Sequence, residues 1–351
     1  KLHTDWKPGA GGKEEPFPEG PRCKYCGDKK PDEIIAKAIN DYHKHFVEEK
    51  GLEMLIWGDR LIPGEKIPYA GVTEISYTGS HKAIDKISKD IIICDWHYSL
   101  YDSYPSFDYF QQNGFRVLAS VWKNPEATLR FMRHAQDKDK GKHLGMVNCG
   151  WSVTPSQLLT ALAEGEIEGL REEAPGIAQA MKVVCNDAEQ RKISSNKLWL
   201  KQWEKQNKTW RGMHFSPLNS SEFDSLKRFI EEVMVDFDLN VLVLEINYSF
   251  KFESHPELAG NGFDKPQARQ LAQICRENGV RLIPLFNCIG HQSTGGSKTF
   301  SLLKEYPEFD ETPYVPADNN GIYCREWCPS NPGVYPVVFD LLLDPLNQGR
   351  G

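Results

Sequence analysis

The 351-residue chain lacks a basic excess. Its 42 Lys and Arg stand against 49 Asp and Glu, a formal net charge of -7, which argues against a nucleic-acid or anionic-membrane partner. It also lacks any apolar run approaching the roughly 20 residues needed to span a bilayer. The opening stretch KLHTDWKPGAGGKEEPFPEGP has no apolar signal-peptide core and reads as a loop rich in Gly, Pro and charge. The expectation is a soluble protein, cytoplasmic or secreted after removal of a signal. His-Glu-x-x-His does not occur and the histidines are scattered along the chain, so no catalytic metal set is evident and no cofactor is implied. No Gly-rich phosphate loop stands before the last helix, which removes support for a barrel acting on a phosphorylated substrate.

What the chain does contain is a repeated alternation of short apolar runs with amphipathic segments. From Arg211 to Phe309 it reads RGMHFSPLN, SSEFDSLKRFIEEVM, VLVLEINYSF, PQARQLAQICRENG, RLIPLFNCIGHQS and LLKEYPEF. Apolar runs of five to eight residues bounded by turns and separated by helical periodicity predict parallel strands with crossover helices. Chemistry in such sheets gathers at the carboxyl ends of the strands, where Glu245, Asn247, His291 and Gln292 fall. Upstream, MLIWGDRLI, KDIIICDWHYS, GFRVLASVWKNPEA and HLGMVNCGW repeat the pattern. Seven strands are predicted: Glu53–Asp59, Ile91–His97, Arg116–Trp122, His143–Trp151, Arg211–Ser216, Val241–Tyr248 and Arg281–Cys288.

Arg-Gly on one strand, Leu-Glu-Ile-Asn on the next with Ser-His-Pro-Glu-Leu behind it, Ile-Pro-Leu with Gly-His-Gln-Ser, then Tyr-Pro-Glu-Phe resemble in order the catalytic barrel of glycoside hydrolase family 20. That family comprises the β-N-acetylhexosaminidases. Residues 21–157 resemble the later half of the family barrel and 210–345 the first half, with 158–209 as a helical connection. The resemblance therefore implies a (β/α)8 barrel of TIM type, one domain over 1–351, with its chain order rotated. A barrel leaves its ends side by side, so a circularly permuted chain can close it. The fourth strand would come from the two chain ends, near PVVFDLLLDPLNQGRG and KLHTDWKPGAGG. In the family it carries His-x-Gly-x-Asp-Glu, a motif this sequence does not contain.

The resemblance implies hydrolysis of a terminal N-acetylhexosamine, with the substrate's acetamido oxygen as nucleophile, a retaining mechanism and a carbohydrate as the partner. Without the family pair, Glu245, Asp59 and Asp95 are the strand-end carboxyls available as general acid. The alternative is a glycan-binding barrel without turnover, either a pseudoenzyme or an engineered permutant that lacks the Asp-Glu pair. By family position Arg211 would bind sugar hydroxyls and His291 would line the pocket, with Asn247 beside them. Trp57, Trp96, Trp122 and Trp151 fall at or just past four successive strand ends, where indole faces stack on the C–H faces of a sugar. Tyr98 shares these ends and would polarise the acetamido oxygen, as a family tyrosine does.

Nine cysteines remain. Cys94, Cys149, Cys185, Cys275 and Cys288 sit in apolar segments and read as small buried hydrophobes. Cys23 with Cys26 and Cys324 with Cys328 form two close pairs that flank the expected fourth strand. Four thiolates at that spacing could hold a structural zinc, the alternatives being free thiols or a disulfide.

Overall fold

The structure of the chain is a computed structural model that describes residues 24–27, 29–67, 76, 79–163, 170–194, 209–294, 298–299, 301–312 and 325–345. Seven strands lie where the apolar runs predict them. They are β1 (Leu55–Trp57), β2 (Ile92–Trp96), β3 (Arg116–Val121), β4 (His143–Gly150), β5 (Trp210–Phe215), β6 (Val241–Glu245) and β7 (Arg281–Leu285). The principal helices are α1 (Pro31–Tyr42), α2 (Pro105–Gln112), α3 (Pro125–Asp137), α4 (Pro155–Leu162), α5 (Glu173–Ser194), α6 (Phe223–Arg228), α7 (Lys265–Glu277), α8 (Ser301–Glu305) and α9 (Val334–Leu343). The architecture is α/β, with strands β2 to β7 neighbouring one another in sequence order and every pair parallel. That is the order in which the strands of a (β/α) barrel follow one another.

The helices begin where local chemistry tells them to. Proline opens α1, α2, α3 and α4, a position where its fixed φ helps and its missing N–H is not needed. Asn124 caps α3, its side-chain oxygen accepting from the N–H groups of Glu126 and Ala127 at 3.0 Å each. Asp264 and Gln267 form a reciprocal capping box on α7. Residues 336–343, which could have supplied part of the expected fourth strand, are helical in α9. The rest of that expectation, residues 1–12 and 346–351, lies outside the described residues.

The chain divides into two compact units. The first comprises Ile92–Phe250 and Asn261–Phe286 and holds β2 to β7. Strands β2 to β6 are largely buried on both faces, and β7 is half-exposed. One face meets helices: Ser106 of α2 bonds Asp95, Asn148 donates to the Ile177 carbonyl of α5, and Phe215 packs on Phe229, with ring centroids 5.2 Å apart. Partners across a parallel ladder share a face, so the register assigns the other one. Trp96 pairs with Ser120, Ser120 with Val147, Cys149 with His214, and His214 with Val243. Glu245, two residues beyond Val243, points the same way. One register break, between Val117 and Leu118, coincides with Gly145 on the partner strand. A Cβ there would meet the Trp210 carbonyl oxygen at 2.0 Å, and the φ of +134° is itself a glycine conformation.

The second unit comprises Lys1–Ile91, Lys251–Gly260 and Asn287–Gly351 in so far as they are described. Its aromatic core joins Tyr42 to Trp327, Tyr335 and Phe339, with ring centroids 6.3, 6.1 and 5.7 Å apart. The Asp344 carboxylate, just past α9, accepts from the N–H of Glu253 and Ser254 at 2.6 and 2.9 Å and from the Ser254 hydroxyl at 3.0 Å. Among the described residues no helix is long and apolar enough to cross a membrane.

Candidate functional site

In the first unit, the carboxyl ends of β2 to β6 bring together a connected set of side chains on the face turned away from the helices. Trp96 ends β2, and its ring centroid lies 5.1 Å from that of Tyr98. Tyr98 lies 5.6 Å from Trp122, the residue after β3. Trp151, just past β4, donates its indole N–H to the Tyr98 hydroxyl at 2.7 Å, and that hydroxyl in turn donates to Cys149 Sγ at 3.6 Å. Trp151 also leans on the imidazole of His214, with centroids 4.3 Å apart. His214 Nε2 stands 3.9 Å from Glu245 Oε2, and Asn247 Nδ2 donates to Glu245 Oε1 at 2.6 Å. The three indoles and Tyr98 are half-buried, whereas His214 and Glu245 are buried. Trp122 carries the Lys123 ammonium 4.3 Å above its ring.

The strand ends also hold unusual backbone. Ser152 after β4 and Asn247 after β6 have φ of 61° and 35°. Asparagine enters the left-handed region more readily than serine does, and non-glycine residues held there recur at functional sites.

His214 is the residue that sequence reasoning missed. Its side chain is buried, and neither ring nitrogen has a hydrogen-bond partner. The indole nitrogen of Trp122 is likewise buried without one. A buried polar atom left in this state costs about 1–3 kcal/mol. Burial drives the imidazole well below its ordinary range, to about 3. The His214–Glu245 contact is therefore not an ion pair at neutral pH. Burial also pushes the Cys149 thiol up to about 12, so it serves as a neutral wall. The one sequence signal for His214 was a polar residue between Met213 and Phe215 in an apolar strand.

Two expected site residues of the same unit, Arg211 and Asp95, lie away from the cluster. Arg211 stands near the amino end of β5, three residues before His214 and so on the opposite face of the strand. Its guanidinium donates to the Asp238 carbonyl at 2.7 Å and to the Asp238 carboxylate at 2.6 Å. That is a loop-anchoring ion pair, at the end of the strand remote from the cluster. Asp95 is 1% exposed on the helix face. It accepts from the Ser106 hydroxyl at 3.0 and 2.8 Å and lies 3.2 Å from His97 Nε2. It anchors the first turn of α2, and no face of it is turned toward the indoles. Trp57, Asp59 and His291 belong to the second unit. Trp57 ends β1, and Asp59 opens the turn that follows, 3.6 Å from Arg60 Nε. His291 is exposed with φ 56°. Its neighbour Gln292 is buried, its amide donating to the carbonyls of Asn287 and Gly290 at 3.0 and 3.1 Å.

Of the four cysteines expected to hold zinc, Cys23 and Cys324 lie outside the described residues. Cys26 and Cys328 pack together beside Ile34 as buried thiols not joined in a disulfide. The hydrogen bond to Cys328, reinforced by burial, raises the Cys26 thiol above its ordinary range, and it donates to Glu311 at 3.5 Å. Among the described residues no group of three or more His, Cys, Asp or Glu is arranged to hold a metal. Cys94, Cys149, Cys185 and Cys275 are buried as their apolar settings predict, and Cys288 is half-buried.

Compared with models of known protein families and with curated proteins, the chain matches none.

Proposed function

We propose that the chain is a glycoside hydrolase of β-N-acetylhexosaminidase type, an eight-stranded barrel of rotated chain order in which Glu245 is the proton donor. The observation that carries this reading is a single carboxylate, Glu245, held by the Asn247 amide at the end of a wall made of Trp96, Tyr98, Trp122 and Trp151. Indole faces stack on the apolar faces of sugar rings. Glycosidases that use a protein nucleophile need a second carboxyl group across the bond, whereas in substrate-assisted hydrolysis the nucleophile comes from the substrate. Of the side chains in the cluster Glu245 alone is a carboxylate.

In this reaction a lone pair of the acetamido oxygen attacks the anomeric carbon. The glycosidic C–O bond breaks with its electron pair passing to the leaving oxygen, which takes the Glu245 proton. Water then attacks the anomeric carbon and returns a proton to Glu245 as the acetamide reforms. A second reading, a glycan-binding barrel without turnover, is favoured by the missing His-x-Gly-x-Asp-Glu motif.

The test is release of an aryl group from an aryl β-N-acetylglucosaminide, with binding of a thiazoline mimic measured on the same protein and on Glu245→Gln. Turnover that is lost in the variant while binding persists supports the assignment. Turnover that survives the substitution removes Glu245 as the acid. Binding by the unaltered protein without release selects the glycan-binding reading, and neither binding nor release overturns both.

A further inference from the structure

We propose that His214 is the specificity-determining residue of this site, and that a ligand hydroxyl seated between His214 Nε2 and Glu245 Oε2 bonds to both. The inference rests on the carbohydrate reading of the same cluster. Its own evidence is the pair of buried imidazole nitrogens that no described residue satisfies.

His214 cannot turn to find a partner. Its strand is fixed by register on both sides, to Cys149 of β4 and Val243 of β6, and Trp151 covers its ring. The backbones of β4 and β5 approach so closely that a Cβ on Gly150 would stand 2.5 Å from the His214 carbonyl oxygen. The imidazole therefore waits in a set position.

The 3.9 Å between Nε2 and Oε2 is too long for a hydrogen bond and shorter than two placed end to end, about 5.6 Å. One oxygen seated off the line between them reaches both. A hydroxyl fits either state of the pair: it accepts from the imidazole N–H and donates to Glu245 when that is ionised, or donates to the bare imidazole nitrogen and accepts from Glu245 in its acid form. A site built to bond a hydroxyl rejects the analogue that lacks it, because its own buried groups are then left unpaired.

The experiment uses the full chain and N-acetylglucosamine with its monodeoxy analogues as probes. Affinity is measured for the unaltered protein, His214→Phe and His214→Gln. Phenylalanine keeps the ring and removes both nitrogens, whereas glutamine keeps a donor near the Nε2 position. The unaltered protein should bind one deoxy sugar about tenfold or more weakly than the parent. His214→Phe should lose a similar factor for the parent sugar and show no further loss for that analogue, and His214→Gln should recover most of the affinity. Equal losses across all analogues in the unaltered protein and in His214→Phe would overturn the proposal while leaving the sugar site standing. Failure of the unaltered protein to bind any of these sugars would overturn the carbohydrate reading together with it. Should the phenylalanine variant not fold, the imidazole nitrogen resonances of His214 in the unaltered protein decide the matter: they must shift on sugar binding, and unchanged resonances at saturation sink the proposal.

Discussion

Lowering the pH should destabilise the chain through His214, by an amount the structure sets. The group is buried, and burial lowers its folded-state value from 6.5 to about 3. Between those values the unfolded chain binds a proton that the folded chain refuses. Stability from this group is complete above pH 6.5 and is lost as pH falls toward 3, at up to about 1.4 kcal/mol per pH unit. From pH 7 to pH 4 the loss from His214 alone is about 3 kcal/mol by the same linkage. Substitution by leucine removes both the titrating group and the unsatisfied nitrogens, so His214→Leu should match the parent at pH 7 within about 1 kcal/mol. At pH 4 it should be the more stable of the two. Urea unfolding of both proteins at pH 7, 5.5 and 4 measures the difference, and other titrating groups cancel in the comparison. Parallel stability curves would refute the burial argument, and so would a His214 carbon resonance that titrates near 6.5 in the folded protein.

Four further outcomes can be checked. Glu245→Gln should reduce aryl N-acetylglucosaminide hydrolysis by at least about 100-fold, the scale of a lost general acid, a larger factor than any change in sugar affinity measured by calorimetry. Trp151→Ala removes the indole that both covers His214 and bonds Tyr98, and should weaken N-acetylglucosamine binding about tenfold, or about 1.4 kcal/mol. Asp238→Ala breaks the half-exposed ion pair with Arg211 and should cost about 1 kcal/mol of stability or less. The same calorimetry should find sugar affinity unaltered in it, and a tenfold loss would return Arg211 to the binding site. Gly145→Ala forces a Cβ into the Trp210 carbonyl and should lower the thermal midpoint by well over the few degrees that about 1 kcal/mol represents.

The strands were legible because parallel strands in an α/β fold are short apolar runs set between turns and helices. Six of the seven predicted runs contain an observed strand, with Ile91–His97 containing Ile92–Trp96 and Val241–Tyr248 containing Val241–Glu245, and the seventh, Arg211–Ser216, starts one residue after β5 does. The amphipathic run PQARQLAQICRENG likewise falls on α7, which starts one residue before it at Lys265. Of the site, Trp96, Tyr98, Trp122, Trp151, Glu245 and Asn247 were reachable from sequence, since each falls at or just past a strand end. Asp95 and Arg211 were misplaced because position along a strand says nothing about the face a side chain takes.

The sequence by itself determined the alternation of strands and helices and the end of the sheet where indoles collect. Both follow from local composition and period. Tertiary structure alone decided which residues share a face. Strands buried on both sides carry no polar alternation to reveal it, so register had to place Cys149 beside His214 and carry that face to Glu245. The same register turned Asp95 toward α2 and Arg211 away from the indoles. His214 read as one polar residue in an apolar strand, and its two unsatisfied nitrogens became visible only when burial, the covering indole and the 3.9 Å gap to Glu245 met in space.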